Sequence, residues 1–158
     1  MALETVARKV DETPAFWLLG GLYEVVLSGA ESGGVATVMR ITAPAGGGAP
    51  PHTHPGDEAL YVVAGELIVH IGDEQVAAGP GASFFFPAGT REWWEAQTTT
   101  TTTVLATYMP GGVDKFFAEV GERALTRDLP PEGGPPPDIA RIVSVAAQYG
   151  MDIEAPAH

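Results

Sequence analysis

Short runs of β-branched and aromatic residues, each closed by glycine or proline, set the tightest limit on what this chain can fold into. The runs are Leu22–Leu27, Val35–Thr42, Ala59–Ala64, Glu66–Ile71, Ser83–Phe86, Trp93–Trp94 and Thr99–Met109. Such runs at close spacing, in a chain with 20 glycines and 14 prolines, read as an all-β sandwich or barrel. Gly72-Asp73 between Ile71 and Glu74 predicts a hairpin turn, because glycine tolerates positive φ there. The threonine run Thr98–Thr103 reads as a loop feeding the strand that ends at Met109.

Composition narrows the class. At 158 residues the chain is about one domain, with 45% hydrophobic and 18% charged residues, which is a globular balance. A net charge of −12 repels nucleic-acid phosphates and anionic lipid heads, so no nucleic-acid or membrane partner is expected. The absence of cysteine excludes disulfides, zinc fingers, iron–sulfur clusters and thiol catalysis. Glu4, Arg8, Lys9, Asp11 and Glu12 interrupt the N-terminus, which does not read as a signal peptide. No apolar run approaches the roughly 18 residues that cross a membrane. A cytoplasmic protein is the expectation.

The pattern changes after Pro110. Val113, Phe116, Phe117 and Val120 have helical spacing, and 129–137 is a Pro/Gly-rich spacer. A second helix is predicted with Asp138 as its cap, Ile139, Ile142, Val143, Ala146 and Ala147 as its apolar stripe, and Gly150 as its stop. The expected organisation is an N-terminal arm over 1–14, a β-barrel over 15–112 and a helical tail over 113–158 packed on the barrel.

Chemistry concentrates in His52-Thr53-His54. Residues i and i+2 of an extended segment share a face, so two imidazoles stand side by side. The Pro55-Gly56-Asp57 turn can return Glu58 to them. Two imidazoles and a carboxylate on one side of a cation suit iron, manganese, nickel, cobalt or zinc. His70 lies on a run whose Leu67, Val69 and Ile71 face inward, so it is expected to point out. His158 is the last residue and is not expected to be a ligand either.

The stretch reads Gly46, five residues, His52-Thr53-His54, three residues, Glu58, six residues, Gly65. It resembles the first motif of the cupin superfamily, and Gly81, five residues, Pro87-Ala88-Gly89 resembles part of the second. The resemblance covers about a third of the chain, Gly46 to about Glu95. It implies a single-domain cupin β-barrel (jelly roll), a central divalent metal and a homodimer. The family's fourth ligand, a histidine, falls on Glu92 here, and its downstream asparagine falls on Ala96. Two readings of Glu92 stay open. It either completes a metal set of His52, His54, Glu58 and Glu92, or forms with Glu58 a pair in which a protonated acid stands beside a carboxylate base. By parity Trp94 shares a face with Glu92, while Arg91, Trp93 and Glu95 share the other. Phe84 and Phe86 alternate with Phe85, and Tyr61 alternates with Leu60 and Val62.

The tail sharpens the resemblance. Phe116-Phe117-Ala118-Glu119-Val120-Gly121-Glu122, Pro135-Pro136-Pro137-Asp138 and Ala147-Gln148-Tyr149-Gly150-Met151 look like the C-terminal region of small bacterial quercetin 2,3-dioxygenase-like cupins. That resemblance implies a metal-dependent dioxygenase for a small aromatic or enol/carbonyl compound, with Glu58 as ligand and base. The alternatives are a proton-transfer isomerase, cyclase or lyase that uses Glu58 and Glu92 as its catalytic pair, and a small-molecule-binding cupin without catalysis.

Overall fold

Alternating burial runs through β3 (Thr37–Ala43), where Thr37, Met39, Ile41 and Ala43 face the core. Before it lie β1 (Ala15–Leu18) and β2 (Gly21–Leu27). After it come β4 (Gly48–Thr53), β5 (Asp57–Ala64), β6 (Leu67–Ile71), β7 (Glu74–Ala78), β8 (Ser83–Phe86), β9 (Glu92–Ala96) and β10 (Thr102–Met109). The tail contributes α1 (Asp114–Val120), β11 (Glu122–Arg123), α2 (Ile139–Gln148) and β12 (Asp152–Ile153). The structure, a computed structural model, describes residues 2–155.

The strands form two antiparallel sheets. One has the order β11-β1-β2-β3-β10-β5-β8 and the other β12-β4-β9-β6-β7. The core lies between them: Met39, Leu60, Val62, Leu67, Val69, Val104 and Ala106 have at most 1% of their surface exposed. Each of the Met, Leu and Val side chains among them contributes roughly 1.5–3 kcal/mol by leaving water, so this layer holds the sheets face to face. The all-β jelly-roll expectation is met. No helix among the described residues is long and apolar enough to cross a membrane.

Gly72 has φ 57° in the two-residue turn between β6 and β7, as its position in Gly72-Asp73 predicts. Gly65 also has positive φ, and a Cβ there would stand 2.4 Å from the Thr101 carbonyl oxygen, so only glycine fits beside the start of β10.

The sequence reading passes over β1, β4 and β7. β1 has four residues, too few for a period to show. β4 carries Pro50 and Pro51, which cannot donate to a ladder. β7 is an exposed edge with Glu74 and Gln75, the polar type of edge that resists pairing with another chain. The expected run from Val35 begins two residues later, since Val35 is 70% exposed in a turn.

Both tail helices form where expected. The Asp138 carboxylate accepts from the Arg141 amide at 3.0 Å and caps α2. The stripe on α2 is rotated from the expected one: Ile142, Val145 and Ala146 are buried, Ile139 and Val143 half-buried, and Ala147 exposed. These residues join the barrel's own core cluster, so α2 covers its own chain. Residues 124–129 cross the outer face of β1 and β2, where Ala124 packs with Trp17 and Leu22, and the Trp17 indole donates to the Asp128 carbonyl at 2.9 Å.

Candidate metal centre

Pro50 and Pro51 set the site's geometry. With two amide donors missing, the ladder between β4 and β9 shifts register between Ala49 and His52, and His52 comes to stand opposite Glu92. Glu58 belongs to the other sheet, paired with Tyr108 on one side and Phe86 on the other. His54 lies at the corner between the sheets. Its carbonyl accepts from the Gly89 amide at 2.9 Å, and the Asp57 carboxylate accepts from the Ala88 amide at 2.8 Å. The Pro87-Ala88-Gly89 turn therefore holds the loop that carries His54 and Glu58.

One suitable atom from each of His52, His54, Glu58 and Glu92 lies within 4.8 Å of the other three. His52 Nε2 is 2.8 Å from Glu92 Oε1, and His54 Nε2 is 3.2 Å from Glu58 Oε2. The two imidazole rings stand at 85°, 4.7 Å apart. Glu58 and Glu92 are 4% and 1% exposed. His54 Nε2, Glu58 Oε2 and both Glu92 carboxylate oxygens are buried without an aligned hydrogen-bond partner. Buried carboxylate oxygens are seldom left so. Close approach without hydrogen-bond alignment fits ligand atoms turned towards one shared cation. The Pro50 carbonyl only accepts, so His52 Nδ1, 2.6 Å away, is the donor, and in the neutral ring Nε2 presents its lone pair to the cluster. The donor set fits a divalent ion of the first transition row.

Charge follows from this crowding. Burial opposes ionisation of His52, but the Glu92 carboxylate outweighs it and raises the His52 pKa. Burial, aided by His52, lowers the His54 pKa to about 4. Burial and the neighbouring Glu92 hold the Glu58 carboxyl well above the ordinary range. Burial also acts against the Glu92 carboxylate, yet His52 more than offsets it and keeps the pKa low. Without an ion the cluster is thus a Glu92–His52 ion pair beside a neutral His54 and a protonated Glu58. Burial, then the two carboxylates, raises the pKa of the Tyr108 phenol, which stays protonated.

The four residues read from the sequence are therefore brought together. Arg91 and Arg40 do not reach Glu92: Arg91 binds Glu154 with two nitrogens, and Arg40 pairs with Glu24 at 3.0 Å. His70 faces outward, as its parity implies, but is 9% exposed because it stacks on Trp93 at 4.3 Å and bonds Glu95 at 3.0 Å. His158 lies outside the described residues. Trp94 shares the inner face with Glu92 at 3% exposure, whereas Tyr61, 48% exposed, points away from the site. The walls also include Tyr23, Tyr108, Phe116, Phe117 and Met151, which the sequence reading does not name as site residues. Only Tyr108 left a usable signal, the alternation Val104, Ala106, Tyr108 on β10.

Two antiparallel sheets closed around a core, with two imidazoles and two carboxylates gathered between them, define a small barrel protein with a metal-ligand type of cluster. Residues 39–108, the centre of this barrel, match the family model described as cupin domain. Solved structures agree on the fold. KdgF from Halomonas sp. is 22% identical, with a TM-score of 0.60 over 68% of this chain and 96% of that one. An RmlC-like cupin from Shewanella frigidimarina is 19% identical, with a TM-score of 0.62 over 73% and 99%. The polyketide cyclase RemF from Streptomyces resistomycificus is 15% identical, with a TM-score of 0.61 over 82% and 89%. No curated protein matches the sequence.

Proposed function

We propose that the chain is a metal-dependent cupin enzyme acting on a small aromatic or enol/carbonyl compound, with a quercetinase-like dioxygenase reaction as the first to test. The observation that carries this reading is the convergence of four buried ligand-type atoms that lack aligned hydrogen bonds. His52, His54, Glu58 and Glu92 would hold one iron, manganese, nickel, cobalt or zinc ion, which when bound supplies a Lewis acid for a substrate oxygen. Glu58, on the rigid strand β5, takes a proton from an enol hydroxyl at its unpartnered Oε2. The apolar walls from Trp94, Phe116 and Phe117 keep water from that oxygen.

A second reading has its own support. A protonated Glu58 beside an ionised Glu92 is an acid and base pair in one cavity, which suits a proton-transfer isomerase, cyclase or lyase. Metal analysis of protein purified without added metal tests the first reading: about one divalent ion per chain supports it, and none after full refolding rejects it. Substrate-dependent oxygen uptake separates dioxygenase from isomerase, and turnover of no carbonyl or enol compound leaves the binding-module alternative.

We also infer a homodimer. Tyr61, Val63 and Phe85 stand exposed on the outer face of β5 and the edge strand β8, an apolar patch of the kind that self-association covers.

A further inference from the structure

The chamber next to the four ligand-type atoms has a volume of about 60 Å³. Small-molecule sites span roughly 300–1,000 Å³, so an organic ligand reaches the cluster only if one of the chamber's walls opens. Two larger cavities adjoin it. One, of about 340 Å³, shares His54, Tyr108 and Met151 with the chamber. The other, of about 710 Å³, shares Leu18, Leu19 and Ile142 with it.

The first wall is fixed. The His54 carbonyl is held by the Gly89 amide, and Tyr108 sits in β10, paired with Thr37 of β3 and Glu58 of β5. Opening that wall takes the cluster apart. The second wall holds none of the four ligand-type residues. Leu18 and Ile142 are buried in β1 and α2, whereas Leu19 is half-buried in the two-residue turn between β1 and β2.

Leu19 has φ 49° and Gly20 has φ 77°, the paired positive values of a tight hairpin turn that asparagine-glycine adopts with little strain. Leu19 is the only non-glycine residue with positive φ among the described residues. A leucine there costs free energy that glycine avoids, because its Cβ crowds the backbone carbonyl. Strain of this kind persists where the surrounding structure holds the residue in place and often marks a functional position. Here the Leu19 side chain packs on the core cluster, between the two cavities. The outer cavity is walled by Trp17, Val120 and the prolines of 130–137, which suit an apolar molecule. Of its charged members, Asp138 caps α2, Arg141 donates to the Glu119 carbonyl and Glu122 is exposed.

We propose that the 710 Å³ cavity receives an apolar organic ligand bound for the cluster, and that the Leu19 side chain is the gate between them. Packed on the core it closes the chamber, and rotated into the cavity it opens the way to His54 and Glu58. The proposal rests on the proposed function only in taking the cluster as the ligand's destination.

The experiment uses His54 as reporter in the metal-free full chain at neutral pH. Its Nε2 is buried without a partner, and its lowered pKa keeps the ring neutral and open to diethyl pyrocarbonate. Peptide mass spectrometry reads the modification rate of His54 against that of His70, which lies outside the chamber. In Leu19→Gly the His54 rate is expected to rise about tenfold, the scale on which losing a partly buried leucine shifts an open population. His70 is expected to keep its wild-type rate, which separates gate opening from general loosening. Val113→Trp fills the 340 Å³ cavity and is expected to leave the His54 rate unchanged. If Leu19→Gly fails to fold, Leu19→Asn decides, since the turn favours asparagine. A wild-type His54 rate in the Leu19 variant, a rise shared by His70, or slowing by Val113→Trp overturns the proposal. Cobalt loading tests the metal reading separately. A chain that retains no cobalt but shows the Leu19 effect refutes the metal reading and supports the gate. Stoichiometric cobalt that protects His54, with no Leu19 effect on the metal-free chain, does the reverse.

Discussion

His52 and Glu92 face each other across β4 and β9, with Nε2 and Oε1 2.8 Å apart, at the point where two prolines shift the ladder. The pairing puts a carboxylate in the cluster position that the family resemblance reserves for a histidine. It also predicts the outcome of removing the charge. Glu92→Gln keeps the shape and leaves His52 with a neutral neighbour. Divalent-metal affinity is expected to fall by at least about tenfold, on the scale of losses at groups that orient or complete a metal site. Glu92→His restores an all-histidine-plus-Glu58 set and is expected to shift preference towards nickel, copper or iron. Competition dialysis with metal analysis reads both, and a silent Glu92→Gln variant removes Glu92 from the site.

Metal uptake is expected to release protons. His52 and Glu58 both have raised pKa values in the free protein, and each must lose its proton before it offers a lone pair to the ion. Affinity therefore rises with pH. Calorimetric titration in two buffers of different ionisation enthalpy measures the release, and a buffer-independent heat contradicts it.

The same two shifts set the stability of the metal-free chain. A raised folded value means that the contribution is fully present below the unfolded pKa, 4.5 for Glu58 and 6.5 for His52, and is lost as pH rises through the folded value. Glu92, whose value is lowered, works in the opposite direction and loses its contribution as pH falls. The melting temperature of metal-free protein is expected to decline from slightly acidic to alkaline pH, and saturating metal to flatten that slope. Scanning calorimetry with and without metal checks it.

β3, β5 and β10 were legible from residues alone because β-branched and aromatic residues crowd into runs closed by glycine or proline, and in the structure burial alternates along most of each run. β4 was not, because Pro50 and Pro51 break local strand logic, and the bond that compensates is distant. β12 pairs Ile153 with His52 and Asp152 with Thr53, a match between positions about a hundred residues apart that no local pattern encodes. The ligand-type cluster was legible because His-x-His fixes two positions on one face and Glu92 follows by motif position. Tyr108 was not recognised, since an inward tyrosine in a β-run reads as core until the fold sets its ring edge-on against His54. The α2 stripe was misplaced by one position, for a ten-residue helix offers too few turns to separate Val145 from Ala147.

The outer patch gives a prediction about assembly. Phe85 is 60% exposed on the edge strand β8, beside Tyr61 at 48%. Light scattering of the wild type is expected to give a dimer mass, and Phe85→Glu a monomer, because a charge in an apolar interface is desolvated without a partner. A monomeric wild type rejects the inference.

The N-terminal arm is tied down by Arg8, which holds Glu31 through both terminal nitrogens at 2.7 and 2.8 Å and donates to the Val26 carbonyl at 3.1 Å. The Arg8 guanidinium, with the Ser28 amide, lowers the Glu31 pKa to about 2. A lowered value means that the contribution is present above the unfolded pKa of 4.5 and is lost as pH falls through about 2. Glu31→Gln is expected to loosen the arm at neutral pH, read as faster proteolysis near Arg8, with the barrel's melting temperature changed little. Unchanged cleavage would show that other contacts hold the arm.

The C-terminal strand is expected to matter to the metal site although none of its residues is a ligand candidate. β12 covers the open edge of β4 next to His52, and the Glu154 amide adds a bond to the Pro51 carbonyl at 2.9 Å. Pro50 and Pro51 have already cost β4 part of its ladder to β9, so the pairing on the other side carries more of the burden of holding His52. Met151 and Ile153 also wall the chamber. Ending the chain after Gly150 removes these contacts together, exposes apolar surface and lets water reach the cluster. Metal affinity is expected to fall by at least about tenfold, comparable to loss of a ligand-orienting group. The surface ion pair between Arg91 and Glu154 offers a control, because both partners are nearly half exposed and such pairs contribute about 0–1 kcal/mol. Arg91→Ala is therefore expected to leave metal affinity within about threefold. If Arg91→Ala matches the truncation, the ion pair holds the tail and strand pairing does not. If neither change moves metal affinity while the truncated chain stays folded, β4 keeps His52 in place without its second neighbour.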